Sequence, residues 1–193
     1  RALADYDTAF GLDDGQVAGV RVPAAKVTLE GQGRTIAIKQ AELSTERGSV
    51  TLAGTVERGP ENRRFTALLD ALHLATPAGG DLRLVEPATL SYALAGVLAA
   101  EDVTLRGNIG EIYLNGSLGR QTASALQVRL TDLTSRYWLS LLVGEGFSFG
   151  DLDAELTFTG TLEEPALQTS GRVAAIRLPD VPFPVSGAFD LDF

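Results

Sequence analysis

Gly146-Phe147-Ser148-Phe149-Gly150 carries the Gly-x-Ser-x-Gly spacing of a nucleophile elbow, in which a strained strand-to-helix turn exposes a serine hydroxyl to an ester or amide carbonyl. Such a serine needs a histidine base later in the chain, and the single histidine, His73, lies upstream. No helical pattern follows Ser148, so the motif reads as a loop with two packing phenylalanines. Asp151, Asp153 and Glu155 alternate along a predicted strand, which puts three carboxylates on one face at steps of about 6.8 Å. A calcium ion is instead gathered by a backbone that curls around it, so these read as a solvated acidic face. His73, between Leu72 and Leu74, has no second histidine to share a metal and reads as a packing or surface residue. Asn115-Gly116-Ser117 fits a glycosylation sequon but falls inside a predicted strand. Phosphate-binding loops and dinucleotide fingerprints are absent. The expectation is a chain that is not an enzyme and holds no cofactor or metal.

Composition agrees with that expectation. The 193 residues are 45% hydrophobic and 21% charged, which describes one folded domain rather than a disordered tail. Sixteen Lys and Arg against 25 Asp and Glu leave a net charge of −9, and the basic residues do not cluster, which excludes a nucleic-acid footprint. The absence of cysteine excludes disulfides, Cys-ligated zinc and a thiol nucleophile. From Glu145 onward, nine acids and two bases give a net of −7, an acidity that keeps a sheet with one apolar face in solution. No run approaches the ~20 apolar residues of a membrane-spanning helix. The chain has no Met and closes in mid-pattern on Gly187 to Phe193, so it is expected to be a section of something longer, with any membrane anchor outside it.

The elements that carry these residues are set by a period of two, which places alternate side chains on one face of a strand. Val50, Leu52 and Val56; Ile112, Leu114 and Leu118; Leu126, Val128 and Leu130; Leu152, Leu156, Phe158 and Leu162; and Val181, Phe183, Val185, Phe189, Leu191 and Phe193 all keep this rhythm. Turns are expected at Asp13-Asp14-Gly15, Gly31-Gln32-Gly33, Arg58-Gly59-Pro60, Pro77-Ala78-Gly79-Gly80 and Gly144-Glu145-Gly146. The run 64–74 is ambiguous, because Phe65, Leu68, Leu69 and Leu72 also fit a helical i, i+3, i+4, i+7 template. The run 137–143 is apolar on both faces and equally ambiguous; both are taken as strands. A phrase apolar-x-apolar-x-Gly-x-apolar recurs around Gly54, Gly116 and Gly160, with a looser copy at Gly96, and glycines so placed mark bulges, bends or close backbone approaches. The expected fold is all-β: a long antiparallel sheet, of some fourteen to eighteen strands at about 4.8 Å each, with little helix.

The stretch from Gly150 to Leu162, followed by Glu163-Glu164-Pro165-Ala166-Leu167, Gly171 and Leu178 to Gly187, resembles the TamB family of bacterial envelope proteins, which belongs with the AsmA-like proteins. The likeness covers about the last 45 residues and is looser over the copies at Gly54, Gly96 and Gly116. It implies a sheet curled into a taco-shaped or U-shaped groove, anchored in the inner membrane through parts outside this chain and crossing the periplasm. It further implies a role in moving phospholipid to the outer membrane, or in assembling outer-membrane proteins. The groove lining expected on this basis is Val50, Leu52, Val56, Ile112, Leu114, Leu118, Leu152, Leu156, Phe158, Leu162, Val181, Phe183, Val185, Phe189, Leu191 and Phe193, with acyl chains as the partner. Two other readings compete: a scaffold that offers sheet edges to nascent outer-membrane strands, and a sealed structural β-sandwich.

Overall fold

A computed structural model describes residues 6–17, 20–46, 48–59, 63–134, 150–176 and 185–192. Among these residues there is no helix, and thirteen strands form one antiparallel sheet. The strands are β1 (Tyr6–Val17), β2 (Val20–Gln32), β3 (Thr35–Thr45), β4 (Gly48–Arg58), β5 (Arg64–Ala75), β6 (Asp81–Leu84), β7 (Ala88–Ala93), β8 (Val97–Gly107), β9 (Gly110–Gly119), β10 (Ser124–Thr134), β11 (Asp151–Gly160), β12 (Pro165–Ile176) and β13 (Val185–Asp192). Spatial order follows chain order. The one exception is that β6 and β7 share the place between β5 and β8, as two halves of one strand interrupted at Val85-Glu86-Pro87. Pro87 has no N–H to give to a ladder, so a break there costs little.

The expected turns at 33, 59 and 77–80 stand where strands end, and Gly33 takes the left-handed conformation that its turn requires, φ 62°. The expected turn at Asp13-Asp14-Gly15 does not form. Those residues lie inside β1, where Asp13 pairs with Ala24 and Gly15 with Val22, and the chain reverses only after Val17, paired with Val20. Local turn propensity yields there to the pairing along β2, and an acidic pair suits a strand at the margin of a sheet. The runs 137–143 and 144–149, the Ser148 motif with them, and Val181, Phe183 and Phe193 lie outside the described residues.

The 64–74 segment is strand, and the structure explains its helical look. Phe65, Ala67 and Leu69 face one way, Asp70 is an extra residue with no partner across the β4 ladder, and Leu72 and Leu74 resume the same face. The bulge sets Leu72 on the face of Phe65 and Leu69 and so imitates an i, i+4, i+7 spacing, while Leu68 faces the other way. The same three-residue step between apolar positions recurs at Ile38/Ala41, Ala100/Val103, Leu130/Leu133 and Val173/Ile176, each at a register shift against the neighbouring strand. Across these ladders the partners advance by only two: Gly54/Leu52, Leu114/Gly116, Leu152/Ala154 and Val185/Gly187.

Candidate functional site

The registers put most apolar residues of the strands on one face, in rows that run across the sheet, with Val22 and Leu68 falling on the other. One row passes Leu12, Ala25, Leu43, Val50, Leu74 and Leu82; another passes Leu90, Ala100, Gly116, Leu126, Phe158 and Leu167. Val50, Leu52, Val56, Ile112, Leu114, Leu118, Leu152, Leu156, Phe158, Phe189 and Leu191 belong to this face by register, and the backbone of Val185 pairs with that of Ile176. Leu162 does not: it stands in the turn between β11 and β12, 52% exposed, because β11 ends at Gly160.

No helix or second sheet covers this face among the described residues. Its central part is buried by neighbours of the same face. Leu82, Leu105 and Ile109 pack with Leu72, Leu74, Leu84 and Ile112, and Ala88, Ala100 and Val103 pack with Leu84, Leu90 and Leu114. Ile109, in the β8–β9 turn, folds back to 2% exposure beside Leu82 at 0%. Its neighbour Asn108 fixes that turn, accepting from the Asp81 N–H at 2.8 Å and donating to the Gly79 carbonyl at 2.9 Å. Toward the margins the same face opens to solvent, with Phe10 61%, Leu12 43%, Tyr92 44%, Leu98 50% and Leu191 46% exposed. The chain's accessible surface of 12384 Å² is well above the ~8,800 Å² that a compact monomer of its mass presents.

The opposite face is polar and stitched by cross-strand charges. Arg106 meets Glu111 at 2.6 Å through Nε, and Arg129 meets Glu155 at 2.7 Å while lying 5.9 Å from the Tyr113 ring centre. Glu30 holds Lys39 at 2.7 Å and, by that hydrogen bond and its charge, raises the Lys39 pKa above its ordinary value. His73 sits on this face opposite Arg83, its Nε2 3.7 Å from an Asp81 carboxylate oxygen. The three alternating carboxylates are used singly: Asp151 accepts from the Thr134 hydroxyl, Asp153 from the Asp132 N–H, and Glu155 pairs with Arg129. Among the described residues, no group of three or more His, Asp or Glu is placed to hold a metal ion.

Three of the bulges share one device. Asp102, Asp132 and Ala175 take left-handed backbone conformations, φ 49°, 50° and 52°. Each N–H is received by a side chain from the strand opposite: Asn115 Oδ1 at 3.4 Å, Asp153 Oδ1 at 2.8 Å and Ser186 Oγ at 3.0 Å. Tyr113 adds a hydrogen bond from its hydroxyl to Asp102 at 2.7 Å, which favours the neutral phenol and raises its pKa above 10.0. Asn115, the residue of the sequon, thus serves a bulge. Alternation found the apolar face of β4, β9, β11 and β13 but missed Phe10, Leu12, Leu43, Tyr92 and Leu98. The three-residue apolar step was the signal that would have carried the pattern through β3, β5 and β8. In the comparisons with known proteins, no family model, no curated protein and no solved structure matches the chain.

Proposed function

We propose that this chain is a section of an apolar β-groove that carries phospholipid acyl chains across the periplasm, between inner and outer membranes. The observation that carries the reading is the continuous apolar face, uncovered among the described residues and lined at its margins by large, exposed side chains. A face of that kind needs a second layer, and a hydrocarbon chain supplies one, at about 0.8 kcal/mol for each methylene it removes from water. Headgroups stay in solvent, and no polar selectivity is required, which fits a face whose rows are Leu, Val, Ile, Phe and Ala. The twelve strand positions, at about 4.8 Å apart, extend the face over about 50 Å, a useful part of an envelope gap. The resemblance of the last 45 residues to the TamB family points the same way.

The test is lipid contact. Photo-crosslinking residues at Leu98 and Leu191 on the apolar face, and at Ala125 and Ser170 on the polar face, are followed by mass spectrometry of protein produced in a bacterial periplasm. Lipid adducts at the first pair alone support the groove, and adducts at neither pair, with no co-purifying lipid, refute it. A second reading, a scaffold for outer-membrane strands, draws on β1 and β13, each of which has one backbone side unpaired among the described residues.

A further inference from the structure

We infer that the bulges form a fold line, the floor of the groove, along which the sheet turns its apolar face inward. The inference rests on the groove reading and says where that groove bends and what holds the bend. A single bulge bends its strand and increases local twist, and bulges aligned across neighbouring strands make a corner. Here they align. Residues 39–40 of β3, Asp70 of β5, the break 85–87 and residues 101–102 of β8 stand at one height across the sheet, and the line continues obliquely through 131–132 of β10 and 174–175 of β12.

Burial gives an independent sign of concavity. A flat single layer shelters no line across its face more than another, yet six of the ten buried apolar residues flank the bulges, while Leu82, Leu105 and Ile109 are buried together at the β8–β9 turn and Val22 in β2. Leu69 is 9%, Ala88 3%, Ala100 5%, Val103 6%, Leu133 6% and Ala154 7% exposed. Leu43, Tyr92 and Leu98, toward the strand ends, are 37% to 50% exposed. Several floor residues are alanines, and Gly54 and Gly116 sit beside the same register shifts, so the inside of the corner is filled by small side chains. Asn115, Asp153 and Ser186 are positioning residues here: they satisfy the N–H that each bulge turns out of the ladder and so hold the corner, while the walls on either side meet the ligand.

Distance across the line tests this. The chain lacks cysteine, so spin labels at Ala78→Cys and Ala95→Cys, in exposed turns at opposite strand ends, are unique. The 13 residues from Asp81 to Ala93 span about 43 Å if straight and about 30 Å if folded through a right angle at the break. The expected result is a mean nearer 30 Å in the parent. Deletion of Asp102 keeps Ala100 and the following valine on one face while removing the extra residue, and lengthens the mean by 5 Å or more, because β8 is bonded to both β6 and β7. Asn115→Ala shifts or broadens the distribution in the same sense and Asn115→Asp restores it, which covers the case in which the deletion does not fold. A parent distance near 43 Å, or one that Asn115→Ala leaves unchanged, overturns the fold line. Lipid adducts at Leu98 with a 43 Å separation would remove the floor and leave the lipid reading standing; a 30 Å separation without adducts would do the reverse.

Discussion

Gly116 offers the sharpest energetic test of the bulged architecture. It stands in the middle of β9 at φ 118°, opposite Ala100 and Leu126 on the apolar face. A Cβ at this position would fall well inside contact distance of the Ala125 carbonyl oxygen, a backbone atom held by its own ladder. Two costs add in Gly116→Ala. The backbone conformation costs about 1–3 kcal/mol for an L-residue, and the forced overlap about 1–3 kcal/mol more. The smaller entropy of the unfolded alanine chain returns about 0.4–1 kcal/mol. The middle of these ranges gives a net loss of about 3 kcal/mol. Gly33→Ala is the control, since Gly33 is also left-handed, φ 62°, but a Cβ there meets nothing within 4 Å. It carries strain without overlap and should cost about 1 kcal/mol or less. Urea denaturation followed by far-ultraviolet circular dichroism measures both, and with a slope of about 1–3 kcal/mol per molar the Gly116 midpoint should fall by at least ~1 M. Equal losses at the two glycines, or a loss under 1 kcal/mol at Gly116, would refute the argument that a close backbone approach fixes this residue.

Four further outcomes are expected. Leu82→Ala, at a side chain with 0% exposure, should cost about 2–5 kcal/mol in the same denaturation experiment, because the surrounding Leu and Ile cannot close the void. Leu98→Asp should abolish lipid adducts at neighbouring apolar positions while the protein stays folded, since Leu98 is 50% exposed and a carboxylate there remains hydrated; Leu105→Asp, at 8% exposure, should unfold it. Ala175→Gly relieves an alanine at φ 52° and should raise stability by up to about 1 kcal/mol, read as a higher melting temperature. The Tyr113 phenol donates to Asp102 and titrates above its usual range, so the stability it lends is present below pH 10 and lost as pH climbs through the raised pKa; Asp102→Ala should bring its phenolate absorbance to lower pH.

How far the sequence speaks for itself depends on the strand. In β9 and β11 the alternation of Ile112, Leu114 and Leu118, or of Leu152, Leu156 and Phe158, is unbroken, and both the strand and its apolar face can be read directly. In β5 and β8 a bulge inserts one residue, the alternation changes phase, and a fixed period of two loses the pattern at Asp70 and at Glu101-Asp102. The repeated glycine phrase joined unlike places. Gly54 and Gly116 lie on the apolar face beside register shifts, whereas Gly96 lies in a turn and Gly160 ends its strand. Asp13-Asp14-Gly15 misled because turn chemistry is a local preference, and a twelve-residue strand ladder outweighs it. The exposure of Phe10 and Leu12 was not legible at all, since alternation tells which face a residue takes and nothing about whether that face is covered.

The order of the strands also bears on how the chain reaches its structure. Apart from the split β6–β7 position, every strand is bonded to those before and after it in sequence, so no pairing waits for a distant segment to arrive. Most neighbouring strands are joined by short turns, and stability accumulates as a sum of adjacent pairings, as in a one-dimensional array. A chain built this way can be laid down hairpin by hairpin from either end. A hairpin added or removed at either end leaves the pairings of the remaining strands in place.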